Sequence, residues 1–86
     1  MTRKKRKYNI NEGSAKRFLE KAYSFRVRKM NFYQFRIYHE EFDGFFDWYH
    51  TQGTLCVSRD RDFLCKLNPT GNKEVVAELI NEYVYK

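Results

Sequence analysis

The sequence predicts an α+β domain of order α-β-β-β(-β)-α, an antiparallel meander sheet with both helices packed on one face. Three observations predict it. Apolar residues recur at helical spacing from Ala15 to Met30 and again from Val76 to Tyr83. The stretch between them is dense in aromatic and β-branched residues, and turn dipeptides break it into short runs. Eighty-six residues suffice for one domain with its own core.

Residues 1–13 read as a disordered basic arm. Like charges crowd it, and it closes on Asn11-Glu12-Gly13. The domain, residues 14–86, then opens with Ser14 as N-cap of a first helix running from about Ala15 to about Arg28. Ala15, Phe18, Leu19, Ala22, Tyr23, Phe25 and Met30 share one arc of that helix at ~100° per residue. Arg17, Lys21, Ser24 and Arg28 follow the opposite face. Arg26, Arg28 and Lys29 fall in its last turn, where cations suit the helix dipole.

A first strand is expected over Phe32–Tyr38, with Tyr33, Phe35 and Ile37 inward. A turn near Glu41-Phe42-Asp43-Gly44 leads to Phe45–Tyr49, where Asp47 sets the parity: Phe46 and Trp48 inward, Phe45 and Tyr49 outward. Thr51-Gln52-Gly53 turns the chain into Thr54–Ser58, and Arg59–Asp62 is a hairpin tip before Phe63–Leu67. Asn68-Pro69-Thr70-Gly71 ends the sheet. The last helix covers roughly Lys73 to Tyr83, capped by Asn72 or Thr70, with Val76, Leu79, Ile80 and Tyr83 buried. Consecutive strands in this order need no crossover. Two amphipathic helices share one face of the sheet, and the other face is left open.

Charge points to the partner. Eleven of the seventeen lysines and arginines lie in the first 29 residues, opposed there only by Glu12 and Glu20, a balance of +9. Residues 30–86 set six cations against nine carboxylates, a balance of −3. Such a dipole orients a protein on a polyanion before specific contacts form. The partner expected is DNA or RNA, held by phosphate contacts from Arg3, Lys4, Lys5, Arg6 and Lys7 of the arm and from Arg17, Lys21 and Arg28 of the first helix. The open face would display Phe32, Gln34, Arg36, Tyr38, Phe45 and Tyr49. Interleaved aromatic and cationic side chains of this kind stack unpaired bases, so Arg36, Tyr38 and Tyr49 join the candidate contacts. Charge alone does not choose between DNA and RNA, between strand types, or among oligomeric states.

Other chemistry has less support. His39, His50, Cys56 and Cys65 are separated by eleven, six and nine residues, without the close pairs that anchor zinc, so no metal is expected. A two- or four-residue turn centred on Asp60-Arg61 places Cys56 across from Cys65; a three- or five-residue loop places them on opposite faces. Glu40, Glu41, Asp43 and Asp47 surround a turn on alternating faces, His50 has no nucleophile or partner at a fitting spacing, and no glycine-rich phosphate loop occurs. The protein is expected to be a non-enzyme without cofactor. No apolar run of about 18 residues suits a membrane. The basic start lacks an apolar leader, and two cysteines suit a reducing compartment. A cytoplasmic, nucleoid-associated location is therefore expected. In a eukaryotic setting Lys4-Lys5-Arg6-Lys7 would serve as a nuclear-import signal.

Two resemblances add to this. The element order α-β-β-β-α resembles that of double-stranded-RNA-binding domains. Those domains carry a Lys-Lys-x-x-Ala-Lys-type cluster at the second helix, where this chain has Gly71-Asn72-Lys73-Glu74-Val75-Val76, so the likeness is one of topology and no binding residue is carried over. Phe46-Asp47-Trp48-Tyr49-His50-Thr51-Gln52-Gly53-Thr54-Leu55 is similar to a segment of short hypothetical proteins from phages and mobile elements. That resemblance implies provenance and an alternative role, a small inhibitor or interaction module acting on a host or defence protein.

Overall fold

A computed structural model describes residues 11–67 and 71–86 of the chain. The elements are α1 (Glu12–Ala22), β1 (Arg26–Asn31), β2 (Gln34–Tyr38), β3 (Phe45–Tyr49), β4 (Thr54–Arg59), β5 (Asp62–Leu67) and α2 (Lys73–Tyr85). The five strands form one antiparallel sheet in the order β1-β2-β3-β4-β5, the meander the sequence predicts. Core side chains come from one face of the sheet and from both helices: Ala15 and Leu19 of α1, Val76, Ala77 and Ile80 of α2, and Phe35, Ile37, Phe46, Trp48, Leu55 and Val57 of the strands. Phe35, Ile37, Phe46 and Trp48 thus point inward as parity requires. No helix among the described residues is long and apolar enough to cross a membrane.

The first helix differs from expectation at both ends. It starts two residues before Ser14, because Asn11 is the cap and its Oδ1 accepts the Ser14 N–H at 2.9 Å. It stops at Ala22, six residues short of Arg28. Ser24 takes a left-handed conformation (φ 58°) that reverses the chain, and the Phe25 N–H donates back to the Leu19 carbonyl. Phe25 then drops into the core from a loop, not from a helix. Arg26–Asn31 pairs with β2 instead, Val27 opposite Ile37 and Arg28 opposite Arg36. That pairing satisfies backbone groups which β2 would otherwise leave bare at the sheet edge. Arg26, Arg28 and Lys29 are strand residues, and Met30, at a bulge, is exposed.

Tyr33 and Phe32 are a second correction. They form the two-residue turn between β1 and β2, so neither occupies a strand position and both are exposed. Asn31 builds that turn: its Oδ1 accepts from the Tyr33 N–H and its Nδ2 donates to Gln34 Oε1, both at 3.1 Å. At the other end of β2, Gly44 sits immediately before β3. A Cβ there would collide with the Ser58 carbonyl and lie 2.8 Å from the Phe42 ring, so the glycine permits β3 to close on β4. Tyr83 of α2 packs edge-on against Phe42 and Phe46.

The last hairpin answers the cysteine alternatives in an unforeseen way. Its tip is the two-residue turn Asp60-Arg61, with Arg59 opposite Asp62 and Ser58 opposite Phe63. A bulge then shifts the register, and Cys65 falls opposite Val57 rather than Cys56. Cys65 packs against the core and Cys56 faces away from it. Both are free thiols. The α2 helix is capped by Asn72, whose Oδ1 accepts the N–H groups of Glu74 and Val75, and it runs two residues beyond Tyr83. The alternative cap Thr70 lies outside the described residues.

Candidate nucleic-acid interface

Strand parity decides which side chains reach the face that the helices leave uncovered. Across the sheet they form three rows. Arg26, Tyr38, Phe45, Ser58 and Phe63 make the first; Arg28, Arg36, Asp47, Cys56 and Lys66 the second; Asn31, Gln34, Tyr49 and Thr54 the third. Four cationic residues therefore meet one carboxylate on these strand positions.

Two arginines of this face, Arg26 and Arg36, lie on aromatic rings. The Arg26 guanidinium is 5.1 Å from the Tyr38 ring centroid, and that of Arg36 is 4.0 Å from Phe45. Tyr38 and Phe45 are themselves neighbours at 6.2 Å. At the far end Tyr49 stacks on Tyr33 at 6.4 Å, and Tyr33 touches Phe32 at 5.3 Å. The face thus has an aromatic group at each end.

Between them sits a closed ion pair. Arg36 Nε donates to Asp47 Oδ1 at 2.9 Å and Nη2 to Oδ2 at 3.2 Å, the two-pronged geometry that fixes both groups. The hydrogen bond to Asp47 raises the Arg36 guanidinium above its ordinary value despite partial desolvation. The charge of Arg36 is committed to that carboxylate, so its task is to neutralise a buried Asp47. Arg26, Arg28 and Lys66 form no ion pair among the described residues and carry the remaining charge of the face. Burial, aided by the Asp47 charge, pushes the Tyr49 hydroxyl up, and burial pushes the Cys56 thiol up against the nearby Lys66. Both groups present neutral donors at neutral pH.

The sequence-predicted contacts are therefore divided. Arg28, Arg36, Tyr38 and Tyr49 come together on the open face. Arg17 and Lys21 are exposed one turn apart on α1, on the other side of the sheet, and do not form a stripe with Arg28. Arg3, Lys4, Lys5, Arg6 and Lys7 lie outside the described residues. Arg26, Phe63 and Lys66 were not expected here. For Arg26 the available signal was the alternation of Arg26-Val27-Arg28; for Lys66 there was none, because a bulge sets its side.

The four residues considered as zinc ligands are dispersed. His39 Nδ1 accepts the Glu41 N–H at 2.9 Å, so its Nε2 carries the proton and donates to Asn81 Oδ1 at 3.2 Å. That makes it a hydrogen-bonded core histidine. His50 packs against Phe35 and Trp48, while Cys56 and Cys65 occupy opposite faces. Among the described residues no three His, Cys, Asp or Glu side chains converge as a metal site. No protein-family model matches this chain, and comparison with curated proteins and with solved structures gives no match either.

Proposed function

We propose that this protein binds nucleic acid through the open face of its sheet, assisted by the basic N-terminal segment, in a cytoplasmic or nucleoid setting. One observation supports this above the others: among the described strand positions the face combines two arginines laid on aromatic rings with a single carboxylate that is already ion-paired. Phosphates need uncompensated cations, which Arg26, Arg28 and Lys66 offer. Bases need π-faces, which Tyr38, Phe45 and the Tyr49–Tyr33 pair offer. Binding should be salt-sensitive and largely indifferent to sequence along most of the face. The test is titration of labelled single- and double-stranded DNA and RNA across a salt series. Sub-micromolar binding that weakens steeply with salt supports the proposal, and no binding at low salt refutes it.

A second reading, an interaction module or phage-type inhibitor acting on a host protein, is favoured by one patch. Phe63 and Leu64, 60% and 39% exposed, stand on the edge strand β5. Exposed aromatic and aliphatic side chains at an edge serve as anchors for a partner protein. Under this reading Phe63→Ala with Leu64→Ala abolishes binding to the partner protein, while Arg26→Gln with Arg28→Gln leaves it intact.

A further inference from the structure

At its β1 side the open face meets two clefts that share Arg26 and Tyr38. The larger, about 630 Å³, is lined by Arg26, Tyr38, Glu40, Asp43, Phe45 and Asp60 among others. The smaller, about 370 Å³, is lined by Arg26, Val27, Arg28 and Tyr38. Their charges are opposite in sense. The smaller has two guanidinium groups and no carboxylate, whereas the larger has three carboxylates on its loop side. Asp43 is occupied by Arg59 at 2.7 Å, and Glu40 and Asp60 form no ion pair among the described residues.

A nucleotide is polarised in the same way, with an anion at one end and a flat, hydrogen-bonding base at the other. We propose that the paired clefts take one unpaired guanine nucleotide of a bound strand, an inference that rests on the nucleic-acid reading above. The phosphate lies on Arg26 and Arg28. The base lies in the larger cleft beside Tyr38 and Phe45, its Watson–Crick edge toward Glu40 and Asp60. That edge of guanine carries N1–H and N2–H₂, two adjacent donors that match the two oxygens of a carboxylate. Uracil and thymine present one N–H between two carbonyl oxygens, which carboxylates repel. Pairing in a duplex would consume the same edge, so the strand must be unpaired. The volume falls within the roughly 300–1,000 Å³ of small-ligand sites. The carboxylates also exclude the phosphate from the base end, which fixes the orientation.

The experiment uses the full chain and two labelled oligonucleotides, hexauridylate and the same strand with one uridine replaced by guanosine, followed by fluorescence anisotropy at low salt. The guanosine strand is expected to bind about tenfold tighter, as one two-pronged base-edge contact discriminates. The double variant Glu40→Ala, Asp60→Gly should lose this preference and bind hexauridylate as well as or better than before. Glycine is chosen at position 60 because Asp60 has φ 57°. Equal affinity for the two strands, with binding retained, overturns the inference and leaves the nucleic-acid reading standing. A preference that survives in the double variant also overturns it. Failure of both strands to bind refutes the nucleic-acid reading itself, and the inference falls with it.

Discussion

Replacing Arg26 and Arg28 with glutamine tests which side of the domain meets phosphate. Both residues are exposed on β1, both lie on the open face, and neither is in an ion pair among the described residues. Each phosphate contact on a single strand contributes about 0.7 to the slope of log K against log salt. Losing two should lower that slope by about 1.4. Extrapolated to 0.1 M salt, the same 1.4 log units are roughly a 25-fold loss of affinity. The matching double variant Arg17→Gln, Lys21→Gln removes equal charge from α1, on the other side of the sheet, and should leave the slope unchanged. Anisotropy titrations at four or five salt concentrations measure both slopes. Thermal melts serve as the fold control, since exposed substitutions of this kind shift stability by about 0.5 kcal/mol or less. If the α1 variant flattens the slope while the β1 variant does not, the helix meets phosphate and the sheet-face geometry is refuted.

Three further outcomes check the fold beneath the site. Gly44→Ala drives a Cβ into the Ser58 carbonyl, a backbone atom that cannot swing aside, and should cost at least about 1–3 kcal/mol in denaturant titration; an unchanged midpoint would mean β3 and β4 are not so closely joined. Burial raises the Cys56 thiol and the Tyr49 and Tyr83 hydroxyls. The fold therefore keeps them neutral after their unfolded counterparts ionise, so stability is full below the unfolded cysteine value of about 8.5 and falls as pH rises through the folded values. Cys56→Ser should move that onset upward, toward the tyrosine range near 10, and an onset indifferent to the substitution contradicts the assignment. Because Cys56 and Cys65 lie on opposite faces, mild oxidation of the folded protein should leave two titratable thiols and no internal disulfide, as mass spectrometry would register.

The sheet and its parity were legible because Phe46, Trp48, Phe35 and Ile37 are large, apolar and separated by two. The α2 helix was legible for a related reason, its apolar residues recurring at three and four. The β1 strand was not. Arg26-Val27-Arg28-Lys29 has one apolar residue, and arginine and lysine are good helix formers, so local preference continued the first helix. What ends that helix is Ser24 in a left-handed conformation, without the glycine or proline that usually marks such a point. The decisive contribution is long-range pairing with β2, which no window of the sequence contains. At the candidate site this error carried Arg28 to the wrong side of the domain and concealed Arg26 altogether. The bulge opposite Val57 had the same effect on a smaller scale, placing Lys66 and Cys65 by a register shift invisible in composition.

Arg36 shows why residue type is a weaker guide to a binding face than the charge left over after folding. It has the chemistry expected of a phosphate contact and lies at the centre of the open face. Yet Asp47 stands directly opposite it on β3, buried, and a buried carboxylate without a partner is costly. The two-pronged bond to Asp47 and the Phe45 ring beneath the guanidinium hold Arg36 in place. Removing Arg36 would therefore do more than delete one cation. It would leave an anion in the middle of the face and repel any bound strand. Arg36→Gln should accordingly lower both stability and nucleic-acid affinity, whereas the double variant Arg36→Gln, Asp47→Asn should recover much of the affinity without restoring the arginine. Recovery in the double variant assigns Arg36 to charge neutralisation; an equally weak double variant means that Arg36 itself touches the strand. The Arg36–Asp47 pair would then join Arg28 and Lys66 in the contact surface, and its reading as a neutralised pair between free cations would be wrong.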